Sequence, residues 1–277
     1  VNKKPSGIKI VLSGAGTVAA GIFRMLCRLG ISPEQILVFD KSGILHKKRE
    51  ELADYQKIMA SSDNKTLFAE AFSGADVFIG ASAGNLVNEE MLQKMNRFPI
   101  VFALATPEPE ISYERARDCR HDLIAATSLG QNPNSVLDIL SFPYILRGAL
   151  DVQAKEISEG MLMAASDVLA GLAREEVIEE VERAYGNIHL SFGPEYLLPK
   201  PIDPRILTKM ASAVAQKAIE EGLSETAFNP QQYQETLKVR TGGGKEAMRE
   251  IIFRSPHQKQ KMVFSNGSNE TILRACR

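Results

Sequence analysis

Short apolar runs recur through the first half of the chain, at Ile8 to Val11, Ile36 to Phe39, Val77 to Ile79, Ile100 to Ala103 and Leu123 to Ala126. Such runs, rich in β-branched residues and too short for helices, read as strands buried on both faces. The stretches between them, Thr17 to Leu29, Lys47 to Met59, Leu67 to Phe72, Asn88 to Met95 and Tyr113 to Cys119, carry helical spacing or helix-forming composition. Strand and helix therefore alternate on connections long enough for right-handed crossovers. The pattern predicts an α/β fold of Rossmann-like type: a doubly wound, mostly parallel sheet with five parallel strands by about Ala126.

Beyond that point strands give way to helices. Val152 to Arg174 carries one apolar stripe at helical spacing, and Ile206 to Gly222 repeats it, with Asp203-Pro204 as a start signal and Gly222 as a stop. Leu198-Pro199-Lys200-Pro201-Ile202 between them cannot be helical and is expected to be an extended linker on the surface. Thr241-Gly242-Gly243-Gly244 breaks the chain again, and the tail after it is basic. The organisation expected is one domain over residues 1–222 with C-terminal helices, then a helical, basic extension over 223–277.

Composition narrows the functional classes. Of 277 residues, 33 are Lys or Arg against 34 Asp or Glu, so no global charge favours nucleic acid or an anionic membrane as partner. Cys27, Cys119 and Cys276 are odd in number and far apart, which suggests neither a disulfide framework nor a thiolate metal cluster. No apolar run approaches the roughly 18 residues that span a bilayer. A soluble, cytoplasmic protein is expected. The chain opens at Val1, which fits loss of an initiator Met or a start inside a longer protein.

Gly14-Ala15-Gly16-Thr17-Val18-Ala19 has the GxGxxA form of a dinucleotide-binding turn, placed between the first strand and the helix that follows. The first glycine allows the tight turn, the second lets a pyrophosphate approach the backbone, and Ala19 allows close packing of helix on strand. The helix start at Thr17 and Val18 would turn free N–H groups toward the phosphates. Asp40 ends the second strand, where a carboxylate suits the ribose hydroxyls of NAD; Lys41 beside it tolerates the extra phosphate of NADP. Gly80 to Asn85, with Ala81 and Ser82, and Leu104 to Pro107, with Ala105 and Thr106, end the next two strands at the same crevice. Their small residues would let a ribose or nicotinamide lie against the backbone. Each of these features also has a purely structural reading as a short loop or a bare glycine turn. His46, His121, His189 and His257 lack metal-ligand spacing, and no metal site is expected.

These residues resemble a known family. Gly14-Ala15-Gly16, the run Gly74 to Gly80, the run Val101 to Ala105, Phe142-Pro143-Tyr144-Ile145-Leu146-Arg147-Gly148-Ala149-Leu150-Asp151-Val152, and Pro201-Ile202-Asp203-Pro204-Arg205 are similar to the cofactor-binding half of the bacterial-type malic enzymes. Met248 to Ile252, Met262-Val263-Phe264 and Ile272 to Ala275 more weakly resemble the entry into the phosphotransacetylase-like domain of the family's hybrid members. The resemblance implies NAD- or NADP-dependent oxidative decarboxylation of malate to pyruvate with Mg²⁺ or Mn²⁺, in a homo-oligomer such as a homodimer. It also implies that the catalytic Tyr and Lys, the metal carboxylates and a substrate Arg precede the glycine turn, where this chain has thirteen residues.

The chain departs from the family's pattern at several points. The family's Ala-Asn-Pro after the fourth strand is Ala105-Thr106-Pro107 here, its Gly-Arg-Ser-Asp block is Ser128-Leu129-Gly130-Gln131, and its Asn-Asn pair is Leu137-Asp138. Leu137 cannot hydrogen-bond a substrate carboxylate, and Asp138 repels one unless protonated or metal-bound. Thr106 and Asn134, which is kept, are the substrate-binding candidates. Arg147 is open to a substrate role or an ion pair. A non-catalytic nucleotide-binding module of regulatory or assembly role is the alternative that these departures motivate.

Overall fold

The computed structural model describes residues 3–129 and 132–239. Its centre is a six-stranded sheet: β1 (Ile10–Ser13), β2 (Ile36–Asp40), β3 (Gly43–Ile44), β4 (Val77–Gly80), β5 (Ile100–Ala103) and β6 (Ile124–Thr127), in the order β3-β2-β1-β4-β5-β6. Five strands are parallel, as the alternation predicts, and β3 adds a two-residue antiparallel edge against β2. That edge is too short to leave a periodic signal.

Successive side chains of β1 point to opposite faces and so enter different cores. Val11 joins Phe39, Phe72, Phe78, Leu92 and Ile111 on one side; Ile10 and Leu12 join Ala19, Phe23, Val38, Leu45 and Met59 on the other. The first core is braced by edge-to-face rings, Phe39 on Phe68 at 5.3 Å and Phe68 on Phe72 at 5.4 Å. Helix α1 (Thr17–Arg28) covers the second face through Ala19, Ala20 and Phe23. The short helices α3 (Phe68–Ala71), α4 (Glu89–Gln93) and α5 (Tyr113–Cys119) cover the first through Ala71, Leu92 and Ala116. The sheet is thus wound on both faces, as expected.

The long helix expected at Lys47 to Met59 contracts to α2 (Asp54–Lys57). The reason is competition from long-range partners: residues 45–61 wrap the end of β2, with Leu45 N–H donating to Val38 O, Arg49 reaching Asp40, and Gln56 donating to Ala15 O at 3.0 Å.

After β6 the chain builds a helical annex of α6 (Phe142–Asp151), α7 (Glu159–Arg174), α8 (Glu179–Ala184) and α9 (Arg205–Glu220). The single stripe expected from Val152 begins in fact at Glu159. Gln153 takes a left-handed conformation (φ 54°), ending α6, and Ser158 caps α7 by accepting from Met161 N–H at 3.1 Å. Helix α9 buries Ile206, Met210, Ala211, Val214, Ala215 and Ala218, so it forms the annex's core. The expected surface linker is partly buried: Lys200 is 9 % exposed, donates to Pro133 O at 2.7 Å and lies over the rings of Tyr185 and Tyr196. Burial holds its ammonium below the usual lysine range.

Two compact units divide the chain, Val1–Pro230 and Gln231–Arg277. Of the second, residues 231–239 are described and helical. The glycine break at 241–244, the basic tail with its resemblance at Met248 to Ala275, Cys276, and Gly130-Gln131 lie outside the described residues. Among the described residues no helix is long and apolar enough to cross a membrane.

Candidate functional site: the crevice between the first and fourth strands

The sheet order places the reversal of winding between β1 and β4, and ligands of such sheets bind outside the carboxyl ends of the strands at that point. The glycine turn sits there. Gly14 has φ +112°, a left-handed conformation that costs a side-chain-bearing residue energy. A Cβ on it would also lie 2.5 Å from Ala81 O. Its N–H donates to Phe39 O at 2.7 Å, Ala81 N–H donates to Ser13 O at 2.7 Å, and the hydroxyls of Ser13 and Ser82 are 2.6 Å apart. The turn is thereby held between β2 and the loop after β4.

Gly16 is different. Among the described residues nothing beyond its chain neighbours lies within 4 Å of where its Cβ would be, and Gly16, Thr17 and Val18 are exposed, Val18 by 65 %. Gly16 caps α1 with no side-chain hydrogen bond, so the cap leaves the first N–H groups of a twelve-residue helix without a side-chain acceptor from it. Ala19, 1 % exposed, gives the close helix-to-strand contact that the motif requires.

At the end of β2, Asp40 is occupied more heavily than the sequence indicates. Its Oδ1 accepts from Ser42 N–H at 2.8 Å and from Arg49 at 3.0 Å, and its Oδ2 accepts from Arg49 at 2.9 Å. Burial alone would raise its pKa. The Arg49 and Ser42 hydrogen bonds, with the charges of Arg49 and Lys41, outweigh burial and hold the carboxyl below its ordinary value. A carboxylate oxygen accepts about two hydrogen bonds, so Oδ2 keeps room for one more donor. Lys41 is exposed next to it. The local sequence does not single out Arg49, which lies nine positions on from Asp40 and inside the helix expected at Lys47 to Met59.

The loops after β4 and β5 meet below the turn. Ser82 is exposed and Ala81 partly so, whereas Ala105 is 4 % exposed, with its N–H donating to Glu110 and its carbonyl accepting from Ser128 Oγ. Thr106 beside it is exposed. The structure therefore places Gly14, Gly16, Thr17, Val18, Asp40, Ala81 and Ser82 at the carboxyl ends of the neighbouring strands β1, β2 and β4. It ties Ala105 to Ser82 through Glu110, a residue that nothing in the local sequence distinguishes from Glu108, and Thr106 follows Ala105 in the chain.

Asn134, expected at the substrate, is placed elsewhere. It is 1 % exposed, both its amide hydrogens are used, on Ala125 O at 2.9 Å and Pro194 O at 2.6 Å, and its carbonyl accepts from Leu197 N–H at 2.9 Å. Its amide braces residues 194–197 against β6. Leu137 is half-buried and Asp138 exposed at the next turn of chain. Arg147 pairs with Asp151 one helical turn on at 2.7 Å. Among the described residues no group of three or more His, Cys, Asp or Glu could hold a metal ion.

Comparison with known proteins agrees with this geometry. Residues 2–189 match the family described as malic enzyme, NAD binding domain. The chain is 41 % identical over 226 residues to an NADP-dependent malic enzyme of Halomonas elongata, covering 82 % of this chain and 54 % of that protein. It is 40 % identical over 271 residues to an NAD-dependent malic enzyme of Rhizobium meliloti, covering 96 % of this chain and 35 % of that one. The crystal structure of an Entamoeba histolytica malic enzyme superposes with a TM-score of 0.78 at 30 % identity, over 94 % of this chain and 52 % of that chain. The chain thus spans between a third and about half the length of these relatives. It belongs to the malic enzyme family, and the matched residues are that family's NAD-binding domain.

Proposed function

We propose that this chain is the dinucleotide-binding half of an NAD(P)-linked malic enzyme, converting malate to pyruvate and carbon dioxide. The observation that carries the reading is the open N-terminus of α1 at Gly16, beside a second-strand carboxylate, in a chain of this family. A dinucleotide bound there supplies the hydride acceptor. The N–H groups at Gly16, Thr17 and Val18 receive its pyrophosphate, and Gly14 shapes the turn beneath. Oδ2 of Asp40 accepts a ribose hydroxyl. Lys41 and Arg49 are the cations that a 2′-phosphate would meet, so both cofactors have a partner in the same place. Ala81, Ser82, Ala105 and Thr106 line the other end, where Thr106 offers a hydroxyl to substrate or nicotinamide. The metal ion of the family's reaction has no ligand set in the described residues, and no role here is routed through one. Assembly into a homo-oligomer and a cytoplasmic location belong to the same proposal.

The second reading is a nucleotide-binding module without catalysis, favoured by Leu137 and Asp138, since a hydrocarbon and an exposed carboxylate are poor partners for a dicarboxylate substrate. Calorimetric titration of the purified chain with NAD⁺ and with NADP⁺ tests the shared part of both readings. Saturable binding of at least one is expected, and no binding by a demonstrably folded sample would overturn it. Assay of the full-length protein with malate, Mg²⁺ or Mn²⁺ and the dinucleotide then separates the two: malate-dependent reduction of the dinucleotide supports the enzyme, and dinucleotide binding without turnover supports the module.

A further inference from the structure

Glu110 is a fully buried carboxylate (0 % exposed) with no cation bonded to it among the described residues. Its Oε1 accepts from Ser82 N–H and its Oε2 from Ala105 N–H, each at 3.1 Å. One side chain therefore spans the loop after β4 and the loop after β5. The backbone around it repeats the link: Asn85 N–H donates to Pro109 O at 2.9 Å and Val87 N–H to Glu110 O at 3.0 Å. No slack is left. A Cβ on Gly80 would lie 2.1 Å from Glu110 Cδ, and one on Gly84 would lie 2.5 Å from Glu108 Cβ.

Packing alone does not account for this residue. An apolar side chain would fill the space without the cost of burying a carboxylate, a cost that is tolerable only where hydrogen bonds replace water. Two N–H groups from separate loops call for a side chain with an acceptor at each of two atoms. A glutamine would turn an NH₂ toward one of those donors.

We propose that Glu110 is a positioning residue for the nicotinamide half of the dinucleotide site: it fixes the separation of Ala81-Ser82 from Ala105-Thr106, between which the nicotinamide ribose sits. This role rests on the NAD(P)-binding reading. The Glu110 side chain bonds neither Gly16 nor Asp40, and it reaches the Gly14 turn only through Ser82, so the role predicts an effect concentrated at the nicotinamide end of the ligand.

The test titrates the wild-type chain, Glu110→Gln and Gly80→Ala with the dinucleotide that binds tighter, and with ADP, which lacks the nicotinamide ribose. Both variants are expected to lose about tenfold in dinucleotide affinity while ADP affinity stays within about twofold. Gly80→Ala added to Glu110→Ala is expected to cost nothing further, because the carboxylate that the new methyl would meet is gone. Equal losses for both ligands, or loss of neither, in variants with wild-type circular dichroism would overturn the role. Should Glu110→Gln not fold, Glu110→Asp, which keeps two acceptors on a shorter stem, takes its place under the same criteria. A wild-type chain that binds ADP but not the dinucleotide more tightly removes this role alone, whereas binding of neither removes the NAD(P) reading and the role with it.

Discussion

Glycine does opposite work in the crevice and in the helical annex. At Gly16, among the described residues, no packing neighbour would meet a side chain. At Gly148, in α6, a Cβ would meet Ala211 O at 2.4 Å and Val214 Cβ at 3.0 Å, so the space is filled by α9. Neighbouring Ala149 and Ala211 are likewise buried, and the two helices approach as closely as their backbones allow. The comparison separates a glycine that the packing of the fold requires from one that packing leaves free, a distinction that the amino-acid letter does not carry.

The largest effect that sharpens this contrast is expected at Gly148→Val. Overpacking the contact of α6 with α9 should cost about 3 kcal/mol of stability, read as a lower denaturation midpoint in urea at unchanged slope. A midpoint equal to wild type would break the comparison. Gly16→Ala should do the reverse, losing at least about tenfold in dinucleotide affinity while costing under about 1 kcal/mol of stability, the usual scale for a helix cap. Calorimetry and thermal melts on the same sample check both halves of that statement.

A smaller and more selective effect is expected at Asp40→Ala. It removes a ribose acceptor and releases Arg49, so NAD⁺ affinity should fall about fivefold more than NADP⁺ affinity. Equal losses would remove the cofactor-selecting role of Asp40. The smallest effect concerns the pair at the opposite end of the sheet, where Arg120 bonds Asp122 and, with Phe98 N–H, lowers the Asp122 carboxyl to about 2. A folded-state value below the unfolded one of roughly 3.9 gives stability that is present above about pH 4 and lost as pH falls toward 2. Urea midpoints of wild type and Asp122→Asn should therefore differ at pH 7, and the difference should shrink as pH falls from about 4 through 2.

The parallel strands were readable because burial on both faces compresses each into a continuous apolar run, and β5 and α5 fall where that pattern puts them. The glycine turn was readable because its chemistry is local: four backbone positions between a strand and a helix. Arg49, Glu110 and the true position of Asn134 were not. Each acts through partners brought close only by the fold, from Asp40 nine residues away to Pro194 sixty residues away. The same cause undid the helix expected at Lys47 to Met59, where long-range hydrogen bonds outcompete a local propensity. Helix α8, six residues long, is below the length at which a stripe can be recognised.

Asn134 also bears on how the molecule meets other copies of itself. The outer side of β6 would be a row of unpaired backbone groups, the kind of border onto which a foreign strand can add. Here Thr127 pairs with Ser135, its N–H donates to Asn134 O, Val136 N–H returns to Thr127 O, and the Asn134 amide closes on Ala125 O. At the opposite border β3 presents only two residues. Both margins of the sheet are therefore short of free backbone groups onto which a foreign strand could add, β3 by its length and β6 by its pairing with residues 134–136.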